Sequence, residues 1–170
     1  MTNTRLSTTI HLLTELARRP DETLSSAFLS DKVHAHAVVV RRLVGVLKKA
    51  GIVSSTRGAH GGIKLSMEAE DISLGMIAET LDEHIGFVTH SISVSVASAD
   101  LFSDAVLSTI ETERRKVHTA AMSHLDGVTL ADVLAAAILR QQLTELVANG
   151  LSDEDIRTKY QIKNGHLVLK

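Results

Sequence analysis

No cysteine occurs anywhere in the 170 residues, and that absence removes several function classes at once. Thiolate-held iron–sulfur clusters, thiol switches, disulfides and cysteine nucleophiles are all excluded. Tryptophan is also absent, with one tyrosine and three phenylalanines, so splayed-out bases would find few stacking platforms. Double-stranded DNA is therefore favoured over single strands or RNA. No apolar run is long enough to span a membrane, and no signal peptide opens the chain, which together point to the cytoplasm. GxSxG, HExxH and P-loop motifs are missing, and the GAHGG run at 58–62 lacks the strand–GxGxxG–helix context of a dinucleotide site. The expectation is a protein that is not an enzyme and needs no cofactor.

The net charge of −2 hides an asymmetry. Residues 1–64 hold ten Lys or Arg against four Asp or Glu, giving +6, and the remaining residues hold eight against sixteen, giving −8. A basic front half with an acidic body suits a nucleic-acid-binding head.

Within that basic half, Ala37 to Ser66 reads as a basic amphipathic helix, a short strand, a Gly-rich turn and a second strand. Val39, Leu43, Val46, Leu47 and Ala50 recur at helical spacing as one apolar face. Lys48 and Lys49 suit the helix C-terminus, and Gly51 the left-handed residue that follows it. Ile52 to Thr56 and Ile63 to Ser66 have strand character on either side of Gly58, Gly61 and Gly62. Upstream, Ser25 or Ser26 caps a short helix to about Val33, with Phe28, Leu29 and Val33 inward, and His34-Ala35-His36 makes the tight turn. A first helix from about Ser7 to Arg19, ended by Pro20, carries the stripe Leu6, Ile10, Leu13 and Ala17. The expected fold is mainly α with a small β-wing: a winged helix-turn-helix head plus a long dimerisation helix. In that geometry His36, Ala37, Val38, Arg41 and Arg42 approach base edges and phosphates, and Arg57 and His60 occupy the wing tip.

These blocks (RLSTTIHLLTELA, VVVRRLVGVLKKAGIVSSTRGAHGGIKLS, DISLGMIAETLDE and VTLADVL, within 4–134) resemble the Rrf-two family of bacterial transcription regulators, the IscR, NsrR, CymR and YwnA-like proteins. The resemblance implies a homodimer that binds a partly palindromic operator and represses. It implies DNA contacts from the helix beginning near His36 and from the wing at Thr56 to His60, including Arg57, with Arg5 and Ser7 approaching the backbone. Many members sense their signal through cysteines in a loop before the long helix. Here the corresponding stretch, His90 to Ala99, offers serines and small apolar residues instead.

Farther along, Ser73 caps a helix to about Leu81 that buries Met76, Ile77 and Leu81. Asp100 caps a long helix to about Leu125, in which Phe102, Val106, Ile110, Val117 and Ala121 follow a three-four repeat suited to pairing two subunits; packing on its own head is the alternative. Thr129 caps a further helix ending at Asn149-Gly150. Ser152 to Asp155 opens a short helix, and Asn164-Gly165 joins two strands in a hairpin that docks on this subunit or its partner. The expected division is a DNA-binding domain at 1–84, a linker at 85–99, dimerisation helices at 100–148 and an extension at 149–170.

Nine histidines raise a metal-sensor reading, in which His84, His90, His118 and His124 gather with Asp82 or Glu83. None of these pairs has i, i+4 spacing, and His118 and His124 point to different sides of one helix, so scattered surface histidines are the preferred reading and no metal is expected. Protonation of His36 or His60 would make DNA binding pH-sensitive. Two further alternatives stay open: a winged helix that binds protein, and a regulator gated by an unidentified small-molecule effector or a metal near the long helix, with Ile92 to Val96 lining the pocket or lying in the core.

Overall fold

The computed structural model describes residues 4–56, 58, 61–82, 101–163 and 166–170. It opens on α1 (Thr4–Ala17), a helix shifted about two residues toward the N-terminus of the expected span. Its buried side is Thr9, Leu12, Leu13 and Leu16, while Leu6, Ile10 and Ala17 lie at the margin of the core. TIHLLTELA carries two overlapping helical stripes, and only packing against the other elements selects between them. Thr9 is tolerated inside because its hydroxyl donates to the Arg5 carbonyl at 2.8 Å.

The second helix, α2 (Ser26–Lys32), begins at Ser25, whose Oγ accepts the Phe28 N–H at 3.1 Å. Leu29 and Val33 enter the core. Phe28 is half-buried, with the cations of Arg19 and Lys32 over its ring at 5.1 and 5.5 Å. The turn that follows is tight enough to place His34 at φ 50°, and the Ser30 hydroxyl closes it on the Ala35 carbonyl at 2.6 Å.

Helix α3 (Ala37–Lys49) ends as its sequence requires, with Gly51 at φ 77°. Its buried stripe differs from the expected one: Val40, Leu43, Val44 and Leu47 face the core, Val39 and Ala50 are exposed, and Val46 is half-buried. Both sets have helical spacing. The run of three valines leaves the phase open in sequence, and contact with α2 and the following strand settles it.

The wing pairs β1 (Val53–Ser55) antiparallel with β2 (Ile63–Leu65). Leu24 joins as a third short rung, exchanging N–H···O bonds of 2.9 Å with Ile63 in both directions. Gly62 makes that approach feasible, because a Cβ there would stand 2.8 Å from the Thr23 Cβ and 2.9 Å from the Thr23 carbonyl carbon. The wing-tip residues Arg57 and His60 lie outside the described residues, as do Asp100, the linker at 85–99 with His84 and His90, and the Asn164-Gly165 turn.

Helix α4 (Leu74–Thr80), capped by Ser73, buries Ile77 and the following Leu81, with Met76 only half-buried. A 26-residue helix, α5 (Leu101–Asp126), leads through a short corner into α6 (Leu130–Ala148). That corner is stitched to the head: the Leu74 N–H donates to the Val128 carbonyl at 2.9 Å and the Leu130 N–H to the Ile72 carbonyl at 2.8 Å. Gly75 packs so closely against Asp126 that a Cβ would fall 1.8 Å from its Oδ1 and 3.1 Å from its backbone nitrogen. Leu130 is completely buried in the head core, and α6 packs along α1. Through Leu130 the first turn of α6 shares the core of the head.

The chain closes with α7 (Asp153–Lys159) and the hairpin of β3 (Tyr160–Lys163) and β4 (His166–Leu169). The hairpin docks on α6 of its own chain, where the Leu167 N–H donates to Gln142 Oε1 at 2.9 Å.

Alanine at Gly62 or Gly75 forces neighbouring atoms apart. Each substitution is expected to lower unfolding stability by about 1–3 kcal/mol in urea titrations, whereas Gly45→Ala, with open space around the new methyl, should raise it slightly.

The capping boxes carry a pH dependence. The Thr129 backbone N–H and then its hydroxyl hold the Asp132 carboxyl below the usual carboxylate range, and the Ser152 hydroxyl and backbone N–H do the same for Asp155. Both groups are ionised in the folded and unfolded chain above about pH 5, where their contribution is complete. It is lost as pH falls, because the unfolded chain takes up these protons first. The melting temperature should therefore drop below about pH 4, and less steeply in the Asp132→Asn/Asp155→Asn double variant.

Candidate nucleic-acid interface

With Val40, Leu43, Val44 and Leu47 turned inward, the opposite side of α3 presents Val38, Arg41, Arg42, Gly45, Lys48 and Lys49, all exposed. Four cations and no acid stand on that face. The first turn of α3 also contains no acidic residue of its own to offset the positive end of the helix dipole. Val38 and Val39 are 52% and 44% exposed, apolar groups of a kind that meets a thymine methyl. Val39 was missed in sequence, where it was assigned to the core stripe; the only signal there was the valine run.

Each predicted side chain has a definite setting. His36 is the N-cap of α3, its Nδ1 accepting the Val38 N–H at 3.2 Å. That nitrogen carries no proton in this bond, so a neutral imidazole presents an N–H at Nε2. Ala37 is half-buried, and its carbonyl accepts from Arg41 Nε at 3.2 Å, which orients that guanidinium along the helix. Arg42 has no ion pair among the described residues.

The wing stands beside the same face. Lys48 Nζ donates to Ser55 Oγ at 3.0 Å and so ties the end of α3 to β1. The Thr56 N–H donates to the Gly62 carbonyl at 3.0 Å, which closes the base of the wing and spends that backbone donor internally. Sequence reasoning did not identify Lys48 as this link, since seven residues separate it from Ser55.

Arg5 and Ser7 sit on α1. The Arg5 guanidinium donates to the Leu81 carbonyl at 2.9 Å, tying the start of α1 to the end of α4, and the Ser7 hydroxyl donates to the Thr4 carbonyl at 3.1 Å. Neither of these two bonds is to the α3 face.

On α5 the predicted row is open. Phe102 is 77% exposed, Val106, Ile110 and Val117 are exposed, and Ala121 is half-buried. The polar residues between them pair within the helix, Arg114 with Glu111 at 2.6 Å and Lys116 with Glu113 at 2.7 Å. Among the described residues no three His, Asp or Glu side chains are placed to hold a metal ion, and no helix is long and apolar enough to cross a membrane.

Residues 2–136 match the model of the Rrf2 family, described as iron-dependent transcriptional regulators. YwnA of Bacillus subtilis (strain 168), named as a candidate HTH-type transcriptional regulator, is 42% identical over 74 residues, 44% of this chain and 53% of YwnA. The chain thus spans about half the length of that curated relative. A solved structure of a candidate DNA-binding protein superposes with a TM-score of 0.61 at 27% identity, covering 76% of this chain and 98% of its own. CymR of B. subtilis, the global cysteine regulator, superposes with a TM-score of 0.57 at 24% identity over 79% of this chain and 96% of CymR, a likeness of fold. YwnA and CymR are both named as regulators. The iron of the family description finds no thiolate here, since the chain has no cysteine, and the described residues offer no carboxylate–imidazole cluster in its place. The residues present therefore do not fit a thiolate-held iron cluster. With the family model covering most of its length and the winged-helix head in place, the chain belongs to the Rrf2 family of transcriptional regulators.

Proposed function

We propose that the protein is a sequence-specific regulator that binds double-stranded DNA as a homodimer and represses transcription from a partly palindromic operator. The observation that carries this reading is the outward face of α3, four cations around Val38 and Gly45 opposite the stripe that anchors the helix. Arg41 and Arg42 meet phosphates or guanine edges, Ala37, Val38 and His36 lie over the bases, and the wing at Thr56 to His60, with Arg57 at its tip, follows the adjacent groove. By the family resemblance, Arg5 and Ser7 on α1 approach the DNA backbone.

The exposed row on α5 supports the dimer. Only one end of that helix packs on α4, and none of its residues is buried by its own chain. A second copy bringing the same row would cover Phe102, Val106, Ile110, Val117 and Ala121. Response without a cluster or a thiol switch follows from the lack of cysteine, and the action is cytoplasmic. Selection of sheared genomic DNA on the purified protein tests the whole reading: enrichment of a few promoter fragments sharing a two-fold site is expected, and uniform recovery would refute it.

Neutralising Arg41 or Arg42 should reduce the slope of log affinity against log salt by about one if the residue contacts phosphate, and should cost roughly 1–3 kcal/mol at a single base position if it reads an edge. His36 is tested by two substitutions that both preserve the cap. Melting temperature should be retained in His36→Asn and His36→Asp, while the carboxylate of the second weakens operator binding about tenfold or more. Equal operator affinity in the two variants would reduce His36 to a cap.

An acidic group in the α5 row should separate the subunits. Light scattering of Ile110→Asp is expected to give half the wild-type molar mass, with operator affinity falling in parallel; an unchanged mass would remove this helix from the interface.

A further inference from the structure

Beyond the family-matched residues, the C-terminal extension builds a cleft of its own. It measures about 340 Å³ and lies between α6, α7 and the hairpin. Leu143, Ile156, Tyr160, Ile162 and Leu167 supply an apolar lining, and Arg157 stands with them as the cation. The size falls in the range of small-molecule sites, which are mostly apolar with a few placed polar groups.

The walls are held by specific bonds rather than by filling the space between them. The Ser152–Asp155 capping box sets the start of α7, Gln142 seats β4 on α6, and the Lys170 N–H closes the end of the hairpin on the Lys159 carbonyl at 2.9 Å. Ile156 is buried at the base, yet Ile162 remains 64% exposed. An apolar surface framed in this way loses free energy to water until something covers it.

Charge narrows what that is. The Asp155 carboxylate accepts from the Ser152 hydroxyl at 2.7 Å and pairs with Lys159 at 3.6 Å. Arg157 has no carboxylate partner among the described residues, so its planar, permanently charged fork borders the apolar lining unmatched. A ligand complementary to both features has an apolar body and one carboxylate, which a guanidinium binds through two parallel hydrogen bonds.

We propose that the cleft between α6, α7 and the C-terminal hairpin is a binding site for a small apolar carboxylate, its body against Leu143, Ile156 and Leu167 and its carboxylate on Arg157. This site is independent of the DNA-binding face, so its test requires no operator.

Isothermal titration of the full-length protein with decanoate, and with decanol as the uncharged counterpart, decides the matter. One saturable decanoate site per chain is expected, with decanol about tenfold weaker or more. Arg157→Gln should bring decanoate down to the decanol level and leave decanol binding unchanged. Leu143→Trp, which fills the cleft, should abolish both. Absence of saturable binding, or decanoate binding indifferent to Arg157→Gln in a normally folded variant, would overturn the proposal. So would a wild-type protein that ignores decanoate while Leu143→Trp changes its molar mass in solution, a result that assigns the cleft to contact between subunits.

Discussion

Once Val40, Leu43, Val44 and Leu47 are buried, α3 can no longer turn about its own axis, and every property of its outer face follows. Each of these side chains gains about 1.5–3 kcal/mol from leaving water, so rotating the helix by one residue would forfeit several such contributions. The same burial that anchors the helix aligns Val38, Arg41, Arg42, Gly45, Lys48 and Lys49 on the far side. Recognition surface and core stripe are two consequences of a single packing choice. The N-cap at His36 and the left-handed Gly51 fix where the helix begins and ends, and with it where its cations stand.

The remainder of the head holds that helix through contacts between residues far apart in the chain. Leu24 and Ile63 exchange two backbone bonds, and residues 72–74 exchange two more with 128–130. Gly62 and Gly75 stand where these approaches leave no room for a side chain. Arg5 closes a further link, from the start of α1 to the end of α4. The long helix α5 is consequently joined to the head by a rigid corner, since its last residue touches Gly75 and the next helix begins in the core.

Chemistry and family diverge at one point. Membership in a family described as iron-dependent meets a chain with no sulfur ligand of the thiolate kind. Residues 149–170, outside the family match, are held by the Ser152–Asp155 capping box and by the Leu167–Gln142 bond to α6. That extension lines an apolar cleft bordered by Arg157.

Much of this molecule is decided within three or four residues of chain, and that part was legible in the sequence. Ser25, Ser73, Thr129 and Ser152 cap their helices because each hydroxyl finds an N–H three residues on. Gly51 and Gly150 end helices because a positive φ costs glycine little. The order helix, turn, helix, strand, glycines, strand, and with it the fold, follows from such local rules, as does the basic character of the first 64 residues. Tertiary structure alone decided which of two stripes on α1 and α3 is buried, for 3.6-residue periodicity admits several phases in LLTEL and in VVVRRLVGV. It alone set Val39 outside, Leu130 inside, and Gly62 and Gly75 at points of backbone contact. Those outcomes depend on partners dozens of residues away, and a local pattern carries no record of which surface will be brought against it.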